Sequence, residues 1–326
     1  MMSAGNWDNL DQAQARLQKQ SLGSWDNYLG FYSSWLGGYF REPWAMQLPL
    51  DDHGFHRGDA VFEAIRLTEG GYFDLPGHLQ RLERSAQAIG MKLPKSLNEI
   101  ETICLELARR AGSANALLRL FVSRGPGGFS PSPAEVVGHQ VYAALTKFKP
   151  MAAELYSNGC TAILSRIPAK EPFWSQIKSC NYLQNVLMRQ ECLEKGSDFA
   201  ICIDAQGRLC EGSTENMFVL REGRLQVPKF DYTLRGTTIR IMMKLAEQLV
   251  NKGELKAVEF ADLQRDDLFA AQEAAFVGTT LAVLPLTKVD GLKIADGRPG
   301  PLSQKLNHLL MHAMTTGQEF RTIIAL

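Results

Sequence analysis

Lys178 stands in the segment QIKSCNY, flanked by Ile177 and Cys180. It lies just ahead of a stretch in which Leu183, Val186, Leu187 and Cys192 recur near the helical period. A lysine at a helix start is ordinarily a solvated surface group. Apolar surroundings or a cationic neighbour would instead lower its pKa and leave a neutral amine able to form a Schiff base. In CEGSTENMF, Glu211 follows an apolar strand pattern and precedes Gly212 and Ser213. It is either a strand-end carboxylate in a turn or a buried acceptor for a heterocyclic N–H, with Glu215 and Asn216 stabilising the turn or flanking a ring. In TLRGTTIR, Gly236 opens a helix whose first turn carries Thr237 and Thr238. That pattern serves equally as a plain N-cap or as an anion cradle, where free N–H groups and the positive helix end meet a phosphate. Thr279, after Gly278 in FVGTTLAVLP, offers another hydroxyl at a strand end. Arg66 in FEAIRL is costly inside an alternating apolar strand unless an anion or a carboxylate meets it.

Taken together, these groups are the parts that pyridoxal phosphate requires: an amine for the aldehyde, an acid for the ring nitrogen, and hydroxyls with a cation for the phosphate. Tyr182 is then a hydrogen-bonding partner for the phenolic oxygen. The elements that must position them read as follows. Val61 to Leu67 alternates as a strand, TEGG turns the chain, and Pro76 starts a helix. A second helix spans about Leu97 to Arg110, and ALLRLFVS and QVYAALTKF are strands around the loop SRGPGGFSPSP. After the linker KFKPMAAE come the strand TAILSRI, the lysine loop, a helix and a meander of short strands. The helix TTIRIMMKLAEQLVNKG ends on glycine, more strands follow, and the last helix begins near Pro301. This is an α+β pattern in two lobes: residues 1–24 a lead-in, 25–148 a smaller α/β domain, and 149–326 a larger strand-rich domain.

The 326 residues balance 35 Lys+Arg against 35 Asp+Glu, without the basic field of a nucleic-acid binder. No apolar run approaches a membrane span, and the N-terminus MMSAGNWDNLDQAQARLQKQ is polar, without a secretory pattern. Six cysteines without a Cys-x-x-Cys pair indicate free thiols, and the cytoplasm is the expected location. His53 and His56 beside Asp51 and Asp52 suggest a turn with satisfied imidazoles, so no metal is expected. GPGGFS lacks the strand–helix context of a dinucleotide fingerprint. EGS is not a nucleophile elbow, and Cys180 is expected to pack.

The segments HRGDAVFEAIR, HLQRLERSA, IKSCNYLQNVL, EGSTENMF, LRGTTIR and FVGTTLAVLP, in this order, resemble the class IV (fold type IV) pyridoxal-phosphate enzymes. That family holds branched-chain aminotransferases, D-amino-acid aminotransferases and aminodeoxychorismate lyases. The likeness runs from about residue 28 to the C-terminus, and YSSWLGG, PLDDHGFHRGDAVF and GPGGFSPSP look most like the plant-type D-amino-acid transaminase and aminodeoxychorismate lyase branch. The resemblance implies that Lys178 carries the Schiff base and moves the proton, and that Glu211 pairs with the pyridine nitrogen. It implies that Arg66, Thr238 and Thr279 hold the phosphate with Gly236 and Thr237 adding contacts, that Leu234 packs beneath the ring, and that Tyr182 approaches its phenolic oxygen. It also implies a homodimer. One departure stands out: the loop GPGGFSP has no Arg-x-His pair to grip a substrate carboxylate. Arg119, Arg124 and Arg57 are the remaining cations, with Thr280 a further substrate contact.

The expected function is transamination between a branched-chain or D-amino acid and a 2-oxo acid. The alternatives are a 4-amino-4-deoxychorismate lyase releasing pyruvate and 4-aminobenzoate, and a binding protein that keeps the fold without catalysis.

Overall fold

The computed structural model describes residues 9–20 and 22–324. Residues 1–8 and 21 of the expected lead-in lie outside the described residues. Within the rest, Leu10–Lys19 (α1) is a helix capped by the Asn9 side chain.

Two sheets form the two lobes. The first contains β1 (Tyr28–Ser33), β2 (Gly38–Phe40), β3 (Ala60–Thr68), β4 (Gly71–Phe73), β5 (Ala116–Ser123) and β6 (Gln140–Lys147). The second contains β7 (Cys160–Leu164), β8 (Phe199–Ile203), β9 (Leu209–Gly212), β10 (Asn216–Arg221), β11 (Arg224–Pro228), β12 (Ala257–Ala261), β13 (Glu273–Gly278), β14 (Ala282–Val289) and β15 (Leu292–Lys293). The C-terminal strand β16 (Arg321–Ile323) returns to the first sheet, whose order is β16-β4-β3-β5-β6-β1-β2, antiparallel throughout. The second sheet runs β12-β11-β10-β13-β14-β7-β8-β9, with β15 against β14 and three parallel pairings.

The helices are α2 (His53–His56), α3 (Leu75–Ala88), α4 (Leu97–Ala111), α5 (Ala153–Asn158), α6 (Pro172–Ser175), α7 (Leu183–Glu194), α8 (Thr237–Asn251), α9 (Arg265–Phe269) and α10 (Pro301–Thr315). Strict alternation in β3 sends Val61, Ile65 and Leu67 to one face, where α3 and α4 bury Leu79, Leu82, Ile100 and Leu107 against them. Each such side chain contributes about 1.5–3 kcal/mol, and Leu82→Ala at this fully buried position would cost about 2–5 kcal/mol. A reciprocal Ser96–Glu99 capping box starts α4 and Gly112, at φ 62°, ends it. In the second lobe, Ile239, Met242, Ala246 and Leu249 form one buried stripe of α8. That stripe fixes which way the helix N-terminus points.

The helices expected over 97–110 and from Gly236 onward, the TEGG hairpin and the strands of the meander all form. The strand β12, the short α9 and the returning β16 have no counterpart in the sequence reading. The apolar repeat of α7 has an unexpected outcome. Leu183, Val186 and Leu187 face outward, and the helix packs on β8 through Met188 and Cys192 instead. The turn at α2 also differs from expectation: His53 is buried, and neither of its ring nitrogens has a hydrogen-bond partner among the described residues.

Candidate active site

β4 is only three residues long, so it pairs with the far end of β3 alone. The first residues of β3 are left with unpaired backbone groups on that side, and the loop before α7 satisfies them. Phe62 N–H donates to Lys178 O at 2.9 Å, Cys180 N–H donates to Ala60 O at 2.8 Å, and Ser179 bridges Val61. Lys178 N–H donates to Ser85 Oγ of α3 at 3.2 Å. Three hydrogen bonds therefore hold the lysine at the seam between the lobes.

A cavity of about 330 Å³ opens there, large enough for a compact aromatic phosphate. Its wall includes Lys178, Tyr182, Glu211, Leu234, Gly236, Thr237, Thr238, Thr279 and Thr280. It also includes Phe62, Arg81, Arg119, Asn185 and Asn216. A larger cleft of about 990 Å³ lies on the other side of the lysine loop, but neither Lys178, Glu211 nor the α8 terminus lines it. The chemistry is in the smaller space.

The Lys178 ammonium lies 4.5 Å from the centre of the Phe62 ring and 5.9 Å from that of Tyr182. Burial, then the nearby Arg81 guanidinium, push it down to about 8, against the opposing pull of Glu63 and Glu211. Burial pushes Glu211 up to about 7, although its carboxylate accepts the Leu234 N–H at 3.0 Å and feels Lys170 and Lys178. Asn216 donates both to that carboxylate, at 3.4 Å, and to Leu234 O, at 2.9 Å. Burial and then Glu211 push the Tyr182 phenol up, so it remains a donor. Lys170 was not singled out in the sequence. It stacks its ammonium 5.0 Å from the Tyr182 ring, and burial lowers its pKa.

The N-terminus of α8 has no side-chain cap. Thr238 Oγ and Thr279 Oγ share a hydrogen bond at 3.0 Å. A Cβ on Gly236 would sit 2.0 Å from Asn216 Oδ1, so only glycine lets the chain turn there beside the carboxamide. Uncapped N–H groups, paired hydroxyls and a cation suit a phosphate.

Of the two arginines, Arg81 and not Arg66 lines the cavity, although Arg66 Nε is buried without a hydrogen-bond partner among the described residues. Arg66 lies under α10: its guanidinium contacts the Met311 and Met314 sulfurs at 3.6 and 3.7 Å and stacks 4.3 Å from the centre of the Phe148 ring. It does not line the cavity. Arg81 does, and its charge is balanced by Glu63 through bonds of 2.8 and 2.6 Å. Burial alone would raise Glu63, but Arg81 and His78 hold it at about 2. Arg124 is also outside, paired with Asp59 at 2.5 Å and bonded to Ile89 O. Arg57 donates to the His56 and Phe129 carbonyls and lines only the neighbouring clefts. Arg119 reaches the cavity with a buried Nη1 that has no hydrogen-bond partner among the described residues.

Similarity to known proteins agrees with this arrangement. Residues 60–289 match the model of the Amino-transferase class IV family. The chloroplastic D-amino-acid transaminase of Arabidopsis thaliana is 35% identical over 89% of this chain and 78% of its own length. The D-alanine aminotransferase of Bacillus licheniformis is 31% identical over 81% and 91%. The T.th. branched-chain amino acid aminotransferase, solved with pyridoxamine 5'-phosphate, superposes with a TM-score of 0.83 at 25% identity, covering 90% of this chain and 98% of that one. A shared family model over most of the chain, the same fold type IV architecture and a cavity furnished with amine, acid and anion cradle converge on one assignment: the chain belongs to the class IV aminotransferases, a family of pyridoxal-phosphate enzymes.

Proposed function

We propose that this chain exchanges an amino group between an amino acid and a 2-oxo acid in the cavity around Lys178, with a D-amino acid or a branched-chain amino acid as donor. The carrying observation is that Lys178, Glu211 and the α8 terminus line one cavity. Pyridoxal phosphate supplies an aldehyde that condenses with amines and a ring that draws electrons from Cα. The remaining work falls to side chains. With its pKa near 8, Lys178 is neutral for roughly a tenth of the time at pH 7, enough to serve as general base and return the proton. Glu211, near 7, holds the ring-nitrogen proton without a large mismatch. Tyr182 donates to the phenolic oxygen, and Leu234 supports the ring. Thr237, Thr238 and Thr279 with the α8 N–H groups and Arg81 bind the phosphate. Arg119, with a buried donor that has no partner among the described residues, takes the substrate carboxylate in place of the missing Arg-x-His pair.

Several coarser readings accompany this one. The domains are proposed at 25–148 and 149–326, with β16 lent back to the first. A homodimer is supported by Leu183 and Val186 of α7, which are 70% and 56% exposed. Sedimentation velocity tests it: a monomer at micromolar concentration would overturn it. No helix among the described residues is long and apolar enough to cross a membrane. The six free thiols support the cytoplasm as the compartment, and cell fractionation is the check.

The functional test is the visible spectrum of the protein supplied with pyridoxal phosphate and offered D-alanine, L-leucine and L-glutamate in turn. Bleaching by one of them identifies the donor and its handedness. A coloured protein that none bleaches, but that forms 4-aminobenzoate from aminodeoxychorismate without an oxo acid, would replace transamination with the lyase reading.

A further inference from the structure

Behind the cradle a buried chain of polar groups runs from Thr237 through His78 to Glu63, and the steps above give His78 no part. His78 of α3 is fully buried. Its Nδ1 is 2.7 Å from Glu63 Oε2 and its Nε2 is 3.2 Å from Thr237 Oγ1. Glu63 is ionised, so the nitrogen facing it carries a proton. The opposite tautomer would set a lone pair against an anion. The proton count at Nε2 then depends on Thr237, whose hydroxyl has a single hydrogen. When His78 is neutral, Nε2 accepts that hydrogen and Thr237 turns only lone pairs to the cavity. When His78 carries a second proton, Nε2–H donates to Oγ1 and the hydroxyl hydrogen is released toward the cavity. An anion in the cradle is repelled by the first arrangement and bonded by the second.

We propose that filling the Thr237–Thr238–Thr279 cradle with a phosphate-type dianion is coupled to uptake of one proton at His78 Nε2, with Thr237 as the hydroxyl that reverses and Glu63 as the fixed acceptor of the relay. This rests on the phosphate reading given above. The proton comes from solvent, and no covalent bond changes. The charged groups facing the relay are Glu63 from β3 and Arg81 from α3 itself. Arg240 on the α8 side is engaged by Asp74 at 3.0 Å. Lys178 feels both Glu63 and Arg81 from the loop. Because coupling is reciprocal, anion affinity falls by up to tenfold for each pH unit over which filling the cradle takes up one proton.

The test uses cofactor-free protein labelled uniformly with 15N, its histidine side chains observed by long-range 1H–15N correlation and its backbone amides by one-bond correlation, at pH 8 before and after saturation with sulfate, a dianion that does not itself titrate there. The expected result is that His78 Nε2 moves from an unprotonated to a protonated shift while Nδ1 stays protonated. Lys178 and Glu211 also titrate in this range, so the second readout is a difference between variants. Thr237→Val should still bind sulfate through the helix N–H groups and Thr238, with the pH dependence of its affinity flattened by up to tenfold per pH unit. Thr237→Ser should restore that dependence. Sulfate that shifts the Thr238 and Thr279 backbone signals while His78 Nε2 stays unchanged overturns the coupling and leaves the cradle standing. An unchanged slope in Thr237→Val does the same. Sulfate that fails to bind at α8 overturns the cradle and the coupling together.

Discussion

Glu63→Gln isolates the electrostatics of the cavity floor. The carboxyl is fully buried and takes two bonds from Arg81 and one from His78. Gln preserves its shape and removes its charge. Holding a carboxyl of ordinary pKa 4.5 at about 2 corresponds to about 3 kcal/mol of stability at neutral pH. Leaving a buried guanidinium without its counter-charge is independently expected to cost about 3–5 kcal/mol. The two figures agree, so the substitution should destabilise the cofactor-free protein by roughly 3–5 kcal/mol at pH 7. The sign of the pH dependence follows from a depressed acid. The stabilisation is fully present above pH 4.5 and is lost as pH falls through about 2.

Denaturant titration by circular dichroism at pH 7, 5 and 3.5 measures this. The gap between wild type and variant should stay constant from pH 7 to 5 and shrink at 3.5. Added pyridoxal phosphate should narrow the pH 7 gap, because its phosphate gives Arg81 a second anion. A gap independent of pH would show that shape, not charge, matters at Glu63. A gap below about 1 kcal/mol at pH 7 would show that Arg81 is satisfied without it, and the reasoning would fail.

Arg81→Met should weaken pyridoxal-phosphate binding by about 10- to 100-fold in a fluorescence titration, the worth of a charged hydrogen bond, whereas Arg66→Met should change it by less than about threefold. Arg119→Leu should raise KM for the 2-oxo acid by about 10- to 100-fold with a smaller change in kcat, read from steady-state kinetics. Glu211→Gln should slow turnover. It should also stabilise the cofactor-free protein above pH 7 by up to about 3 kcal/mol: a carboxyl raised from 4.5 to about 7 loses stability as pH rises through that window, and the amide does not. A loss of stability for this variant at pH 8 would refute the burial of that charge.

The backbone was legible where a local signal and the tertiary packing ask for the same thing. The alternation of β3, the capping box of α4 and the buried stripe of α8 are examples. β12 and β16 were not legible because they are short and form against partners distant in sequence, such as β11 and β4. The apolar residues of α7 were legible as helical but not as outward-facing. Periodicity finds a face and says nothing about whether this chain or another covers it.

The site was legible in its amine, acid and hydroxyls because each sits in a short segment whose local geometry nearly dictates its use. Arg81 was not found because the pattern of β3 was followed on one face only. In β3 the residues that join the α3–α4 core are Val61, Ile65 and Leu67, all odd. Arg66 is on the other face, in phase with Phe62 and Ala64 of the cavity wall, but further along the strand, under α10. The charged residue in phase with the core is Glu63, an inward carboxylate that must find a cation. α3 offers one: its inward Leu75, Leu79 and Leu82 are flanked by His78, Arg81 and Ser85, spaced three and four apart on an adjoining face. A buried acid on a strand and a polar stripe on the helix that covers it are one constraint seen from two elements. Followed through, it leads from Glu63 to Arg81 and from His78 to Thr237, and so to the phosphate end of the cavity by a route that no single motif contains.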